Sequence, residues 1–170
     1  MTTGACGESV PSASAVYEDL KGLLGAWQGI DHEGQKWTVH YRVIAGGHAL
    51  LETWSPGAKN EALTIYMLDR DSLIATHVCP WGNQPRLRLS LASRLHDYRF
   101  EFLDGANLNV EDAYHQVRFR LRIEGRNRFM RSEVYVPNKP VPRASDSPDE
   151  GTMVTYTRLV GTKWPIEKAK

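Results

Sequence analysis

The sequence predicts an all-β protein, an antiparallel up-and-down barrel of about ten strands with one short helix ahead of it. Three observations carry this expectation. After Gly25 the apolar residues switch from helical spacing to a period of two and keep it almost to the C-terminus. The alternating segments are separated by short turns rich in Gly, Asp and Asn, which suit antiparallel neighbours. A sheet of that many strands closes or splits, because open edges invite pairing with other chains, and closure into a barrel is the simplest solution.

Residues 1–13 read as a disordered leader, rich in Gly, Ser and Thr with little to bury. Residues 14–161 form the single domain, and 162–170 a charged tail anchored by Trp164. Val16, Leu20, Leu23 and Leu24 fall at i, i+4, i+7 and i+8, a short amphipathic helix with Ser14 as N-cap and Gly25 as its stop. The first strand opens at Trp27 and ends near Glu33-Gly34. In the second, Trp37, Val39, Tyr41 and Val43 alternate with Lys36, Thr38, His40 and Arg42. Strands follow at 48–54, 61–68 and 73–79. The sixth spans 86–94, with Leu87, Leu89 and Leu91 on one face, and the seventh holds Tyr98, Phe100 and Phe102 and stops at Asp104-Gly105. The last three cover 114–123, 129–136 and 152–160. Two segments interrupt the rhythm. Residues 104–113 are a longer connection, and 137–151, with four prolines and almost no apolar mass, are a mobile loop that could serve as a lid over a barrel mouth.

Charge nearly cancels, with 21 basic against 20 acidic residues, which argues against a nucleic-acid partner. Arg118, Arg120 and Arg122 stand at every second position, the pattern of a solvated strand face. Two cysteines, Cys6 and Cys79, allow one disulfide but no disulfide framework. No basic start leads into an apolar run, and no apolar stretch approaches the roughly 20 residues of a membrane helix. A cytoplasmic protein without a membrane partner is the expectation. An apolar patch on the barrel exterior would allow a homodimer.

The densest chemistry lies in Ala75 to Arg88, where a strand breaks at Pro80 and turns through Gly82-Asn83. His77 and Cys79 point to the same strand face. Two ligands are too few for a tetrahedral metal site, and His115 is the one evident third, so no metal is assigned. As a nucleophile Cys79 would need a base closer than the about 7 Å that separates i and i+2 on a strand. The simpler expectation is that Cys79 fills core space and His77 makes fixed hydrogen bonds. Asn83, Gln84 and Arg86 tie a turn together, or place Gln84 or Arg86 at a barrel mouth against the polar end of a ligand. Glu52, Arg131 and Glu133, if they face inward, would join His77 and His115 in a polar interior built from Glu–Arg or Glu–His pairs, because lone buried charges are costly. Trp54, Tyr66 and Trp81 supply aromatic surface for core or ligand.

Gly25-Ala26-Trp27-Gln28-Gly29, directly after a short helix, resembles the G-x-W opening of the calycin superfamily, which includes lipocalins, fatty-acid-binding proteins and nitrobindin-like barrels. A closer resemblance is to uncharacterised bacterial lipocalin-like domains. It rests on Ala45-Gly46-Gly47-His48-Ala49-Leu50-Leu51-Glu52, on Thr76-His77-Val78-Cys79 followed by Gly82-Asn83-Gln84-Pro85-Arg86, and on Asp104-Gly105-Ala106-Asn107-Leu108. It covers about residues 20–160. The resemblance implies a calycin/lipocalin-like barrel in which the short helix closes one end over Trp27, and it implies no particular reaction. The long proline loop departs from the compact hairpin such a barrel would have there.

The function expected from these readings is binding of a small, mainly apolar molecule inside the barrel, with His77, Cys79, Trp81, Asn83, Gln84, Arg86, Glu52, Trp54, Tyr66, His115, Arg131 and Glu133 as contact residues and no cofactor. The alternative is an enzyme of isomerase, cyclase or hydrolase type using His77 or His115 as acid/base. A second alternative is a nitrobindin-like haem protein, against which stands the lack of an axial histidine near the C-terminus, since the last His is His115.

Overall fold

The structure, a computed structural model, describes residues 10–109, 111, 113–138 and 151–161. Cys6, most of the expected leader, the bulk of the proline loop and the tail with Trp164 lie outside the described residues. The first element is α1 (Ala13–Leu20), and its N-cap is Ser12 rather than Ser14: Ser12 is extended, and its Oγ accepts the Ala15 N–H at 3.2 Å. Val16, Tyr17, Leu20 and Leu23 are buried. Leu24 drops out of the stripe, 39% exposed, because the α-helix gives way to a 3₁₀ turn at Lys21–Leu23 and the chain turns extended at Leu24.

Ten strands follow among the described residues: β1 (Gly25–Ile30), β2 (Lys36–Ile44), β3 (Ala49–Trp54), β4 (Ala62–Asp69), β5 (Ser72–Val78), β6 (Gln84–Leu89), β7 (Asp97–Ala106), β8 (Tyr114–Ile123), β9 (Arg128–Pro137) and β10 (Val154–Leu159). Each pairs antiparallel with its neighbours in the chain, and β1 pairs with β10, with Gly29 opposite Tyr156, to close the barrel. The fold class read from the sequence is therefore the one observed, and a closed ten-stranded antiparallel barrel is consistent with a calycin-like fold.

β1 stops at Ile30, short of the expected Glu33-Gly34, because Asp31 turns the chain by accepting the Glu33 and Gln35 N–H groups. Three further departures are local too. β6 ends at Leu89, and Leu91 is exposed, because Ser90 turns the chain: its Oγ accepts the Ala92 N–H and its carbonyl accepts the Ser93 N–H. β7 runs through Asp104-Gly105 instead of stopping there. Asp104 pairs with Arg86 across the sheet, a bulge beside Arg86 shifts the register, and a Cβ on Gly105 would meet the Gln84 carbonyl at 2.8 Å. In β2, Val39 and Tyr41 are core, but Val43, on the same alternation, is exposed, and His40, which alternates with them, is buried.

The two barrel ends are unlike. At one, α1 packs against β4 and β5, Tyr17 donates to the Gly47 carbonyl at 3.0 Å, and Asp19 takes hydrogen bonds from Tyr98 and the His96 ring. Trp27 lies there, with Nε1 donating to the Leu23 carbonyl at 2.6 Å and the Arg158 guanidinium 4.1 Å from its ring centre. The helix thus plugs this end, over a core of Trp27, Tyr41, Tyr66, Phe100, Phe119 and Phe129. The opposite end is formed by the β1–β2, β3–β4 and β5–β6 turns and the starts of β8 and β10.

Candidate functional site

A cavity of about 600 Å³ opens at that second end. The β5–β6 turn builds one side of its mouth. Pro80 ends the ladder, Gly82 adopts φ +82°, its N–H donates to the Cys79 carbonyl at 2.9 Å, and the Cys79 N–H returns to the Asn83 carbonyl at 3.0 Å. This holds Trp81 at the rim, half-exposed, edge-on to Tyr135 at 5.9 Å. The β1–β2 turn builds the facing side. Asp31 accepts the N–H groups of Glu33 and Gln35 and, at 2.8 Å, the indole N–H of Trp37. The Trp37 hydrogen bond is the main reason its carboxyl sits below the usual aspartate range. Trp54, Ala62, Val154 and Tyr156 complete an apolar wall.

The inner end of the cavity is polar. Strand alternation puts Arg131, Glu133 and Tyr135 of β9 on the inner face together. Arg131 donates from Nε to Glu133 Oε1 at 2.7 Å and from Nη1 to Glu52 Oε2 at 2.8 Å. Glu52 also accepts from Tyr66 at 2.6 Å and from the Trp54 indole. Tyr135 donates to Glu133 Oε2 at 3.2 Å and accepts from Gln116 Nε2 at 3.3 Å. The guanidinium lies 4.1 Å from the Phe119 ring centre and 5.1 Å from that of Trp54. Burial alone would lower the pKa of Arg131, but the charges of Glu52 and Glu133 outweigh it and hold the side chain charged. Burial pushes the phenols of Tyr66 and Tyr135 upward, so both stay protonated donors.

His77 lies opposite Thr64 in the ladder, with Nδ1 3.2 Å from Thr64 Oγ1. Its Nε2 is buried without a protein partner, and the residue lines the cavity. Burial lowers its pKa, opposed by the Glu133 carboxylate, so the ring is neutral near pH 7. The Cys79 thiol is pushed up by burial, with an opposing backbone hydrogen bond at Trp81. A raised pKa is the reverse of what an activated nucleophile needs.

Of the residues singled out in the sequence, the cavity gathers His77, Cys79, Trp81, Trp54, Arg131 and Glu133. Glu52 and Tyr66 stand directly behind Arg131, fully buried. The other four are elsewhere. Asn83 is a turn residue whose Nδ2 donates to the Tyr114 carbonyl at 2.8 Å. Gln84 is exposed at the start of β6, and Arg86 sits on the outer wall against Asp104, because the turn leaves Arg86 on the opposite strand face from inward-facing Leu87. His115 is buried against Asn138, with Nδ1 2.8 Å from its Oδ1, and does not line the cavity. Sequence reasoning did not place Asp31, Trp37, Tyr135 or Tyr156 at the site. The i, i+2, i+4 run of Arg131, Glu133 and Tyr135 was a legible signal for Tyr135, whereas the Asp31–Trp37 contact depends on a turn with no distinctive spacing.

Among the described residues no group of three or more His, Cys, Asp or Glu side chains is arranged to hold a metal ion, and no helix is long and apolar enough to cross a membrane. No protein-family model matches the chain, and no curated protein shows significant similarity to it.

Proposed function

We propose that this protein binds a small, mainly apolar molecule in the interior of a lipocalin-like barrel, entering at the end away from α1. The observation that supports this reading is the cavity of about 600 Å³ whose outer wall is aromatic and whose inner end carries a few convergent polar groups, His77, Arg131, Glu133 and Tyr135. Ligand sites commonly have this size and this division between apolar area and fixed polar contacts. The ligand's apolar body would pack on Trp37, Trp54 and Tyr156, and its polar end would meet the inner cluster. Native mass spectrometry of the purified protein, followed by calorimetric titration of whatever is retained, tests this. Binding that is lost in Ala62→Trp, a substitution that fills the cavity from its wall, supports the reading. Unchanged binding in a well-folded Ala62→Trp protein refutes it.

A second reading draws on one specific observation, the neutral imidazole of His77, a residue of the cavity lining whose Nε2 is buried without a protein partner. In an enzyme His77 would be the general base. His115 is not a comparable candidate, because it lies outside the lining. Loss of turnover in His77→Gln with ligand affinity retained separates catalysis from binding. A Soret band in the purified protein would instead favour the haem alternative.

A further inference from the structure

We propose that the ligand of this cavity carries a cationic nitrogen: an apolar or aromatic amine, and not a fatty-acid-like carboxylate. This deepens the binding reading above and rests on it. The argument starts from the sign of the charge at the inner end. Arg131 brings one positive charge, and it is engaged on both sides, by Glu52 through Nη1 and by Glu133 through Nε. Glu52 is fully buried behind Arg131 and balances it, leaving Glu133 in surplus. Asp31 adds a further carboxylate at the mouth. Among the described lining residues the acidic side chains thus outnumber the strong bases by two to one, before Glu52 is counted. A ligand carboxylate would become the third around one guanidinium, and each uncompensated charge in a desolvated site is costly.

The aromatic wall points the same way. The indole N–H groups of Trp37 and Trp54 are already donated to Asp31 and Glu52, so what these rings offer to a ligand is their π surface. Aromatic rings beside a carboxylate stabilise an ammonium or quaternary ammonium group through their quadrupoles. His77 Nε2 completes the set. In the tautomer that donates from Nδ1 to Thr64 Oγ1, Nε2 of this lining residue is a buried acceptor without a protein partner, the form of imidazole that suits an ammonium N–H. One group taken alone would favour an anion: Arg131 Nη2 has no protein partner. A neutral acceptor satisfies it without adding a third negative charge.

The test is calorimetric titration of the full chain, at neutral pH and low ionic strength, with three ligands of one skeleton: naphthylethylamine, naphthylethanol and naphthylacetate. The amine is expected to bind about tenfold tighter than the alcohol, and tighter still than the carboxylate, as a charge-assisted contact warrants. Glu133→Gln is expected to erase that preference by bringing the amine's affinity down to that of the alcohol. Arg131 keeps Glu52 in that variant, and thermal unfolding verifies its fold. Asp31→Asn, at the mouth and outside the inner ion pairs, provides an independent variant with a smaller expected loss of the preference. Carboxylate binding equal to or tighter than that of the amine overturns the inference, as does an amine preference that survives Glu133→Gln. Alcohol binding as tight as the amine also overturns it and leaves the cavity-binding reading standing. Failure of all three ligands to bind overturns both.

Discussion

Arg131 donates to Glu52 at 2.8 Å, and neither side chain has more than 1% of its surface exposed. A pair this deeply buried is costly to break from one side, because the remaining charge loses its partner and cannot reach water. Arg131→Met is expected to lower stability by about 3–5 kcal/mol. The double variant Arg131→Met with Glu52→Gln should cost less than the sum of the two single changes, with a coupling of about 1 kcal/mol or more. Urea denaturation of the four proteins closes the cycle, and additive losses would show that the pair does not act as a unit.

Stability should fall as the pH drops below neutrality, and His77 should carry part of that fall. Its folded pKa is depressed by burial below the ordinary value of 6.5. Above that value neither the folded nor the unfolded chain holds the proton, and nothing is lost. Below it the unfolded chain binds a proton that the folded chain refuses, so stability declines until the depressed folded value is reached. His40 is shifted in the same direction, by burial first and then by Arg42. Melting temperatures compared between about pH 7.5 and about pH 5.5 should drop less in His77→Gln than in the parent protein. An identical drop would assign the effect elsewhere.

Arg158 ties the closed end together. It lies over Trp27 at 4.1 Å and donates to the carbonyls of Gly22, Leu24 and Arg126. Arg158→Ala should cost about 1–2 kcal/mol. Arg158→Lys should recover little of it, since an ammonium cannot reproduce the planar fork that spans three carbonyls while stacking on an indole. Thermal unfolding of the two variants decides this, and full recovery by Lys would reduce Arg158 to a simple charge.

At Gly29 the backbone of β1 runs close to β10, where an added Cβ would meet the Tyr156 ring and the Thr155 carbonyl at 2.8 Å. Gly29→Ala should therefore lose about 1–3 kcal/mol and push Tyr156, a lining residue, out of place. Gly46→Ala is the comparison. Gly46 has φ +63° but open space around it, so the expected loss is the backbone cost alone, about 1 kcal/mol. Unfolding curves in urea rank the two, and an equal or larger loss at Gly46 would contradict the crowding argument.

Local pattern determined much of this protein. Period-two alternation with turn residues at regular intervals is sufficient to specify ten antiparallel strands, because each hairpin is a short-range decision, and a sheet of that size relieves its edges by closing. The helix was legible for the same reason, from Val16, Leu20 and Leu23. The ends of elements were less so. Ser12 rather than Ser14 caps α1, and β7 continues through Asp104-Gly105, because a hydrogen bond or a cross-strand ion pair, and not composition, sets where a ladder starts and stops.

What only the tertiary structure decided is which strand face is inside and which residues meet. Alternation gives two equivalent faces, and the bulges beside Arg86 and Gln116 disturb the simple alternation that a sequence would extrapolate. So the sequence grouped Glu52, His77, His115, Arg131 and Glu133 as a polar interior and set Gln84 or Arg86 at a mouth, but it could not tell that Arg86 faces outward or that His115 is buried away from the cavity. The Glu52–Arg131 pair joins β3 to β9, 79 residues apart in the chain. A contact at that separation leaves no local trace: it is fixed by barrel closure, which brings strands distant in sequence across a common interior.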